Sequence, residues 1–374
     1  MKTVIRARSV DQGDDTKIVR LLSGFYKNIN SRYDWKHLYL DNPDGQAVVS
    51  LIEESSGGRL IGHYSVIRMH FIAFGKRFLG GKGEGEIFDL SYIRSLMKKG
   101  QKIERGLSTR LVSHTLDGAM KEGIQIICTN PSELALKSHL DSGYETVEHE
   151  FRIFVLILNR RYLAHLLSER LKNRIVTDVS SCLFTMVLKF LFFMKTFLKR
   201  GKKIGLMPIT RFNESTDKFT EEFARSFDCI AIERNHKHLN WRFAGKEYRK
   251  FTVEYDSQTV GYVVLHVFTN PNGFKEACLV DYLFMKDYWV IFKDVIIKIV
   301  EEARKYECDL LRVNYMYDFK ENFCISRIMK DLFFLQRYDK RNILISFSPQ
   351  FEQEKHKILN IRNWYFTDLY FEAY

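Results

Sequence analysis

The chain has 374 residues, enough for two domains that each bury a core of their own. Hydrophobic residues make up 45% of it and aromatic residues 14%, with only five prolines, which excludes a disordered or fibrous chain. A formal charge of +12 favours an acidic partner: nucleic acid, an anionic membrane surface or a phosphorylated small molecule. No zinc-finger spacing, arginine-aromatic interleaving or other nucleic-acid module occurs, so nucleic acid is not the expected partner.

The opening segment, Val4 to Asn30, reads as a strand and then a helix, ending near "SRYDWKHLYLDNPDG". Next, "AVVSLIEESSGGRLIGHYSVIRMHFIAFGKRFLGG" reads as two or three strands joined by Gly-rich turns, and "EIFDLSYI" as another strand. "KKGQKIERGLSTRL" is a basic, glycine-punctuated loop that opens an amphipathic helix. Two readings stand for it. It is a solvated turn, or it seats an anion on the free N–H groups and dipole of the helix N-terminus, with Gly100 and Gly106 letting the backbone approach a phosphate. "IQIICTN" follows as a buried strand leading into a short helix, "PSELALKSHLDSG".

Between residues 166 and 205 lies a basic, apolar, helical linker. Its apolar run from Ser181 to Met194, broken by Lys189, is too short to cross a bilayer. Packing between two domains, with the apolar face buried, is one reading; a helix resting on a membrane surface, through residues 181–200, is the other.

The second half repeats the order of the first. "LNWRFAGKEYRKFTVEYDSQTVGYVVLHVF" gives paired strands, "EACLVDYLFMKD" a strand, "YWVIFKDVIIKIVEEARKYE" a helix and "CDLLRVNY" a strand. Trp35-Lys36 and Trp241-Arg242 hold equivalent places, which indicates an internal duplication with domains at 1–165 and 206–374. The copies differ at the basic loop: the second has "MKDYWVIF", without glycine and with bulky side chains, so only the first is expected to hold a phosphorylated cofactor. Six cysteines without a C-x-x-C pair, and no signal-peptide pattern, read as reduced thiols of a cytoplasmic protein.

A strand, a phosphate-type loop opening a helix, a second strand and a short helix form a split βαβ unit of the kind that binds nucleotide-containing cofactors. "IERGLSTRL", through Gly106, Ser108 and Leu111, resembles the acyl-CoA pyrophosphate loop of the GCN5-related N-acetyltransferase (GNAT) superfamily, Gln/Arg-x-x-Gly-x-Gly/Ala followed by leucine. Ile103 and Ser108 depart from that pattern. "TNPSELALKSHLDSGYE" resembles a second family segment through Asn130, Ala135, Gly143 and Tyr144. The whole arrangement is similar to the tandem GNAT proteins of bacterial surface-polysaccharide loci, with Trp241, Arg242, Phe243 and Tyr248 in "NWRFAGKEY" and a C-terminal "NWYFTDLYF".

The resemblance implies an α+β protein of two tandem GNAT-like mixed-sheet domains, the second degenerate and serving the acceptor. It implies acyl-CoA as cosubstrate, no metal, and direct attack of an amine on the thioester in a ternary complex. The acceptor expected is a nucleotide-linked amino sugar, such as a dTDP-3-amino-3,6-dideoxyhexose, and the acyl group acetyl or 3-hydroxybutanoyl. The N–H groups of Arg105, Gly106, Leu107, Ser108 and Thr109 would hold the pyrophosphate, with Asn130 and Ser132 alongside. Leu90, Ser91 and Tyr92, at a strand bulge, would grip the pantetheine and donate to the thioester oxygen.

For the proton route, Asp89 and Glu86 lie on the strand beside the thioester, each also readable as a solvated carboxylate. His139 stands where many of these enzymes keep a tyrosine that protonates the leaving thiolate, or is a plain helix-surface histidine. His63, Trp241, Arg242 and Tyr248 are the candidates for the acceptor, arginine suiting a diphosphate through its forked donors. Two other classes remain open: a FemAB-like transferase using aminoacyl-tRNA, and a non-enzymatic scaffold at the membrane. The oligomeric state is open between monomer and homodimer.

Overall fold

The computed structural model describes residues 5–25, 32–55, 58–147, 151–168, 174–197, 204–315, 324–339 and 342–370. In the first half the order is β1 (Ile5–Ser9), α1 (Asp15–Leu22), α2 (Arg32–Tyr39), β2 (Val48–Glu54), β3 (Arg59–Ala73), β4 (Lys76–Phe88), α3 (Leu90–Lys98), α4 (Leu107–Lys121), β5 (Ile126–Thr129), α5 (Glu133–Asp141), β6 (Glu145–Thr146) and β7 (Phe151–Ile157). The connection is α6 (Arg160–Ser168) and α7 (Arg174–Phe197). The second half runs β8 (Ile204–Ile209), α8 (Asp217–Ser226), β9 (Ala231–Ile232), α9 (His236–Arg242), β10 (Tyr248–Tyr255), β11 (Gln258–Thr269), β12 (Lys275–Phe284), α10 (Phe292–Lys305), β13 (Leu310–Tyr315), α11 (Ile325–Asp331), β14 (Leu335–Asp339), β15 (Leu344–Phe347) and α12 (Lys355–Ile358).

These elements form two mixed sheets of the same design. The first has the order β1-β2-β3-β4-β5-β15-β6 with β9 beside β3, and the second the order β8-β10-β11-β12-β13-β7-β14. In each, one central pair is parallel, β4 with β5 and β12 with β13, because a helix, α4 or α10, carries the chain across between them. The duplication expected from the sequence is therefore present, with one feature that local patterns do not carry. Each half gives its last long strand to the other: β7 lies between β13 and β14, and β15 between β5 and β6. Segments 1–165 and 206–374, expected as one domain each, thus complete each other's sheets, and one core runs from Met69 and Cys128 through Phe154 to Ile345 and Tyr370.

Three local expectations are corrected. "EIFDLSYI" is not one strand: β4 stops at Phe88, Asp89 caps a helix, and residues 90–92 are the first turn of α3. The Gly-rich turns expected between the strands do not include Gly80 and Gly81, which lie inside β4, where a Cβ on either would collide with the Phe71 ring or with Val66. The linker helix α7 does not bury its apolar face. Ser181, Thr185 and Phe192 point inward, while Leu183, Met186 and Phe190 are about 60% exposed, at 60%, 62% and 61%. The strand and helix expected within Val4 to Asn30 are β1 and α1, and residues 26–30 lie outside the described residues.

Candidate active site

The site grows from the glycine-rich stretch of β4. Its ladder with β5 runs from Gly81–Ile127 to Gly83–Thr129 and then ends, so the two parallel strands part beyond Gly83. On its other side β4 pairs with β3, and the register jumps between Ser65–Glu84 and His63–Ile87, leaving Gly85 and Glu86 together opposite Tyr64. That is a β-bulge, and Gly85 takes the left-handed φ of +72° that such a bulge needs. The bulge is held from beneath: His63 Nδ1 donates to Gly85 O at 2.9 Å and Ser65 Oγ to Glu84 O at 2.8 Å. His63 is fully buried, and burial pushes its pKa down to about 4, so it is a neutral prop under the bulge.

The parted strands are roofed by two helix starts. α4 begins at Gly106, which is exposed, has φ +75° and supplies no side-chain cap, so the first N–H groups of a 15-residue helix are left to other partners. Its inner face, Leu107, Leu111, Val112, Thr115, Leu116 and Ala119, fixes it on the sheet. Ile103, which departs from the resembled pattern, packs its side chain against this cluster. Arg105 is exposed beside Gly106, and Thr109 is half-buried in the first turn. Ser132 is the N-cap of α5 without spending its hydroxyl on the cap, and Asn130 is half-buried between β5 and α5.

Glu86 and His139 meet in this cleft. The Glu86 carboxylate accepts a hydrogen bond from Ser108 Oγ, in the first turn of α4, and lies 3.4 Å from Ser138 Oγ and from His139 Nδ1. Ser108 thus has a use that the glycine or alanine of the resembled pattern could not serve. His139 Nδ1 donates to Ala135 O at 2.9 Å, which leaves Nε2 as the basic nitrogen of the ring. Burial lowers the His139 pKa, against the charge of Glu86, which raises it. His139 Nε2 and Glu86 Oε2 are buried and lack hydrogen-bond partners among the described residues. Such atoms are costly unless something satisfies them.

Tyr64, Lys82 and Glu84 of this site escaped the sequence reading, and Tyr144 was matched in the resembled segment without a role. Tyr64 and Tyr144 stand edge-on or tilted against His139, their hydroxyls 2.9 Å apart. Gly83 is required there, since a Cβ would strike both hydroxyls. Lys82 and Glu84 form a buried pair at 2.7 Å, and burial, with the charge of Arg242 from the second half, holds the Lys82 ammonium below its ordinary pKa against the pull of Glu84. The signal for them was in "GKGEGE": charges at every second position of a strand, with glycines between, make one charged face.

Asp89 is not part of the cluster. Its carboxylate caps α3 by accepting from Tyr92 N at 2.9 Å and Ser91 Oγ at 2.6 Å, and it pairs with Arg59 at 2.7 Å. Burial alone would raise its pKa, but these donors outweigh it and the pKa is lowered. Leu90 is exposed, and Tyr92 donates to Glu54 with Arg59 over its ring, so the backbone groups expected at a bulge are helical and the bulge is at Gly85. Among the acceptor candidates, Trp241 is buried where α9 meets α2, donating from Nε1 to His37 O at 2.8 Å. Tyr248 packs between Phe243 and His266. Arg242, half-buried, is near enough to act on Lys82.

The equivalent cleft of the second half is filled. β12 keeps a bulge opposite β11 near Val280, but Tyr365 donates to Tyr282 O, and Thr367 donates to Asp281 at 2.7 Å. Asp281 is fully buried with Arg234 and Tyr262. In the second half the C-terminal segment thus lies against the strand that corresponds to β4. Among the described residues no group of three or more His, Cys, Asp or Glu is arranged to hold a metal ion.

This architecture of two mixed sheets with helices is a GNAT-like fold. A GCN5-related N-acetyltransferase from Anabaena variabilis matches it with a TM-score of 0.56 at 10% identity, over 91% of this chain and 72% of that one. A probable N-acyltransferase from Enterococcus faecalis matches with a TM-score of 0.60 at 9% identity, over 92% and 72%. N-myristoyltransferase from Saccharomyces cerevisiae, solved with bound myristoyl-CoA, matches with a TM-score of 0.55 at 11% identity, over 93% and 80%. No protein-family model and no curated protein matches the sequence. At these identities the likeness is one of fold: a tandem GNAT-like α+β protein.

Proposed function

We propose that the protein is an acyl-CoA-dependent N-acyltransferase working from the first-half cleft. One observation carries this reading: the cleft beyond Gly83 joins an uncapped helix start at Gly106 to a bulged strand and to two buried atoms, Glu86 Oε2 and His139 Nε2, that have no hydrogen-bond partner among the described residues. These residues fit a CoA thioester. The N–H groups from Gly106 to Thr109, with Arg105, would take the pyrophosphate, while the unpaired edge of β4 past Gly83 would take the pantetheine amides. Bound there, the thioester supplies an activated acyl group. Backbone N–H at the Gly85–Glu86 bulge would donate to its carbonyl oxygen.

His139 then acts as the base. With Nδ1–H committed to Ala135 O, its neutral Nε2 accepts the proton of the attacking amine, and Glu86 stabilises the resulting imidazolium, which can pass that proton to the departing thiolate. Tyr64 and Tyr144 hold the imidazole plane.

The acceptor we propose is a nucleotide-linked amino sugar such as a dTDP-3-amino-3,6-dideoxyhexose, entering between the halves with its diphosphate toward Arg242. The sequence resemblance and the excess of positive charge support this choice, as does the buried Lys82–Glu84 pair beside Arg242. A thermal-shift titration tests both levels, because a ligand that binds only the folded state raises Tm. CoA, acetyl-CoA and 3-hydroxybutanoyl-CoA are expected to stabilise the protein, with a further rise on adding dTDP but not GDP. A response to CoA without any nucleotide response would remove the sugar-nucleotide acceptor and keep the acyltransferase. No response to any CoA species would remove both.

A further inference from the structure

We infer that the outer face of α7 docks on an anionic phospholipid bilayer. The helix has 24 residues and so spans about 36 Å, and its polarity is inside out. The residues it turns inward include Ser181 and Thr185, whose hydroxyl donates to Ser181 O at 2.7 Å, with Phe192 as the apolar anchor in the core. Outward it presents Val179, Leu183, Met186, Val187, Phe190 and Met194, a continuous stripe at helical spacing, each of them at least 39% exposed. A water-facing helix is expected to show the reverse arrangement, and a contiguous apolar stripe of this length marks a contact surface.

Charge selects the occupant. From residue 179 to residue 213 the sequence has no Asp or Glu and seven Lys or Arg, four of them at 199–203 just past the end of the helix. An apolar face whose sequence runs on into positive charge without an acidic residue matches the boundary of acyl chains and anionic headgroups, where each cation adds to the attraction. A second copy of the chain would bring two such cationic borders together, which repel. Among the described residues no helix is long and apolar enough to cross a membrane, so the contact is interfacial.

The full-length protein should be sedimented with vesicles of phosphatidylcholine alone and with vesicles in which one quarter of the lipid is phosphatidylglycerol. Binding is expected to the anionic vesicles, at least tenfold weaker to the neutral ones, and to fall as salt is raised. The double variant Leu183→Glu/Phe190→Glu, at two exposed positions, should lose binding at least tenfold while keeping its Tm. Should that variant fold poorly, Lys199→Glu/Arg200→Glu must weaken binding to anionic vesicles alone. Absence of binding to either vesicle, or binding that both variants retain, overturns the inference. So does a dimer in light scattering that the glutamate pair splits without any lipid binding, which would assign the face to a second copy.

Discussion

At the scale of single residues, the cleft is defined by what Glu86 and His139 lack as much as by what they touch. A buried imidazole nitrogen and a carboxylate oxygen without hydrogen-bond partners would each destabilise the fold by about 1–3 kcal/mol, and among the described residues His139 Nε2 and Glu86 Oε2 have none. Burial has already lowered the pKa of His139, so its base form predominates at neutral pH. A base with a depressed pKa loses activity only as pH falls through that depressed value, so the acid limb of kcat/KM should lie below the ordinary histidine pKa of about 6.5. Because the Glu86 charge raises the His139 pKa, Glu86→Gln should move that limb to still lower pH. His139→Gln should abolish the limb and reduce kcat/KM by about 10²- to 10⁴-fold. The assay is a pH–rate profile with the acyl-CoA and acceptor that the titration selects, and an unmoved limb in both variants would exclude His139 as the base.

At the scale of elements, the loop before α4 and the bulge in β4 do complementary work, and only the first was legible in the sequence. A basic loop, a left-handed glycine and a 15-residue amphipathic helix are local features, and each could be read from neighbours within a few positions. The bulge depends on Tyr64 of β3 facing Gly85 and on His63 bonding to its carbonyl, the latter 22 positions away in the chain, and nothing local states it. α3 was missed because "DLSYI" alternates like a strand, although Asp89, whose carboxylate accepts from Tyr92 N three residues on, is also a helix cap. The pairing of Glu86 with His139 followed only once α5 was laid across the open cleft. Gly106 allows a direct test of the loop. Its φ is +75° and no atom lies within 4 Å of an added Cβ, so Gly106→Val should cost about 1–2 kcal/mol from backbone strain without a clash. Gly100 has φ +76° and equally open space, so Gly100→Ala pays a similar strain six residues away. Isothermal titration with CoA should show affinity reduced at least tenfold in Gly106→Val and little changed in Gly100→Ala. Equal losses, or none, would move the pyrophosphate away from the start of α4.

At the scale of the whole molecule, the exchange of β7 and β15 turns a duplicated sequence into one cooperative body. Each strand sits inside the other half's sheet, β7 between β13 and β14 and β15 between β5 and β6, with ladders on both sides. Removing either would open two bare edges in the middle of a sheet, which the chain cannot close from its own half. The shared core reinforces this: Phe154 on β7 and Ile345 on β15 belong to the same buried cluster as the second half's Tyr282 and Phe284. The exchange also has a consequence for the cleft, because β15 pairs directly with β5, the strand that parts from β4. The second half therefore shapes the first-half site twice, through β15 and through Arg242 beside Lys82. Urea unfolding followed by circular dichroism and by tryptophan fluorescence should give coincident single transitions. Residues 1–203 and 204–374 made separately should not fold, whereas together they should regain the native spectrum and the response to CoA. Two separate transitions, or a folded fragment that binds CoA alone, would mean that the exchanged strands do not hold the halves together and that the first half makes its site unaided.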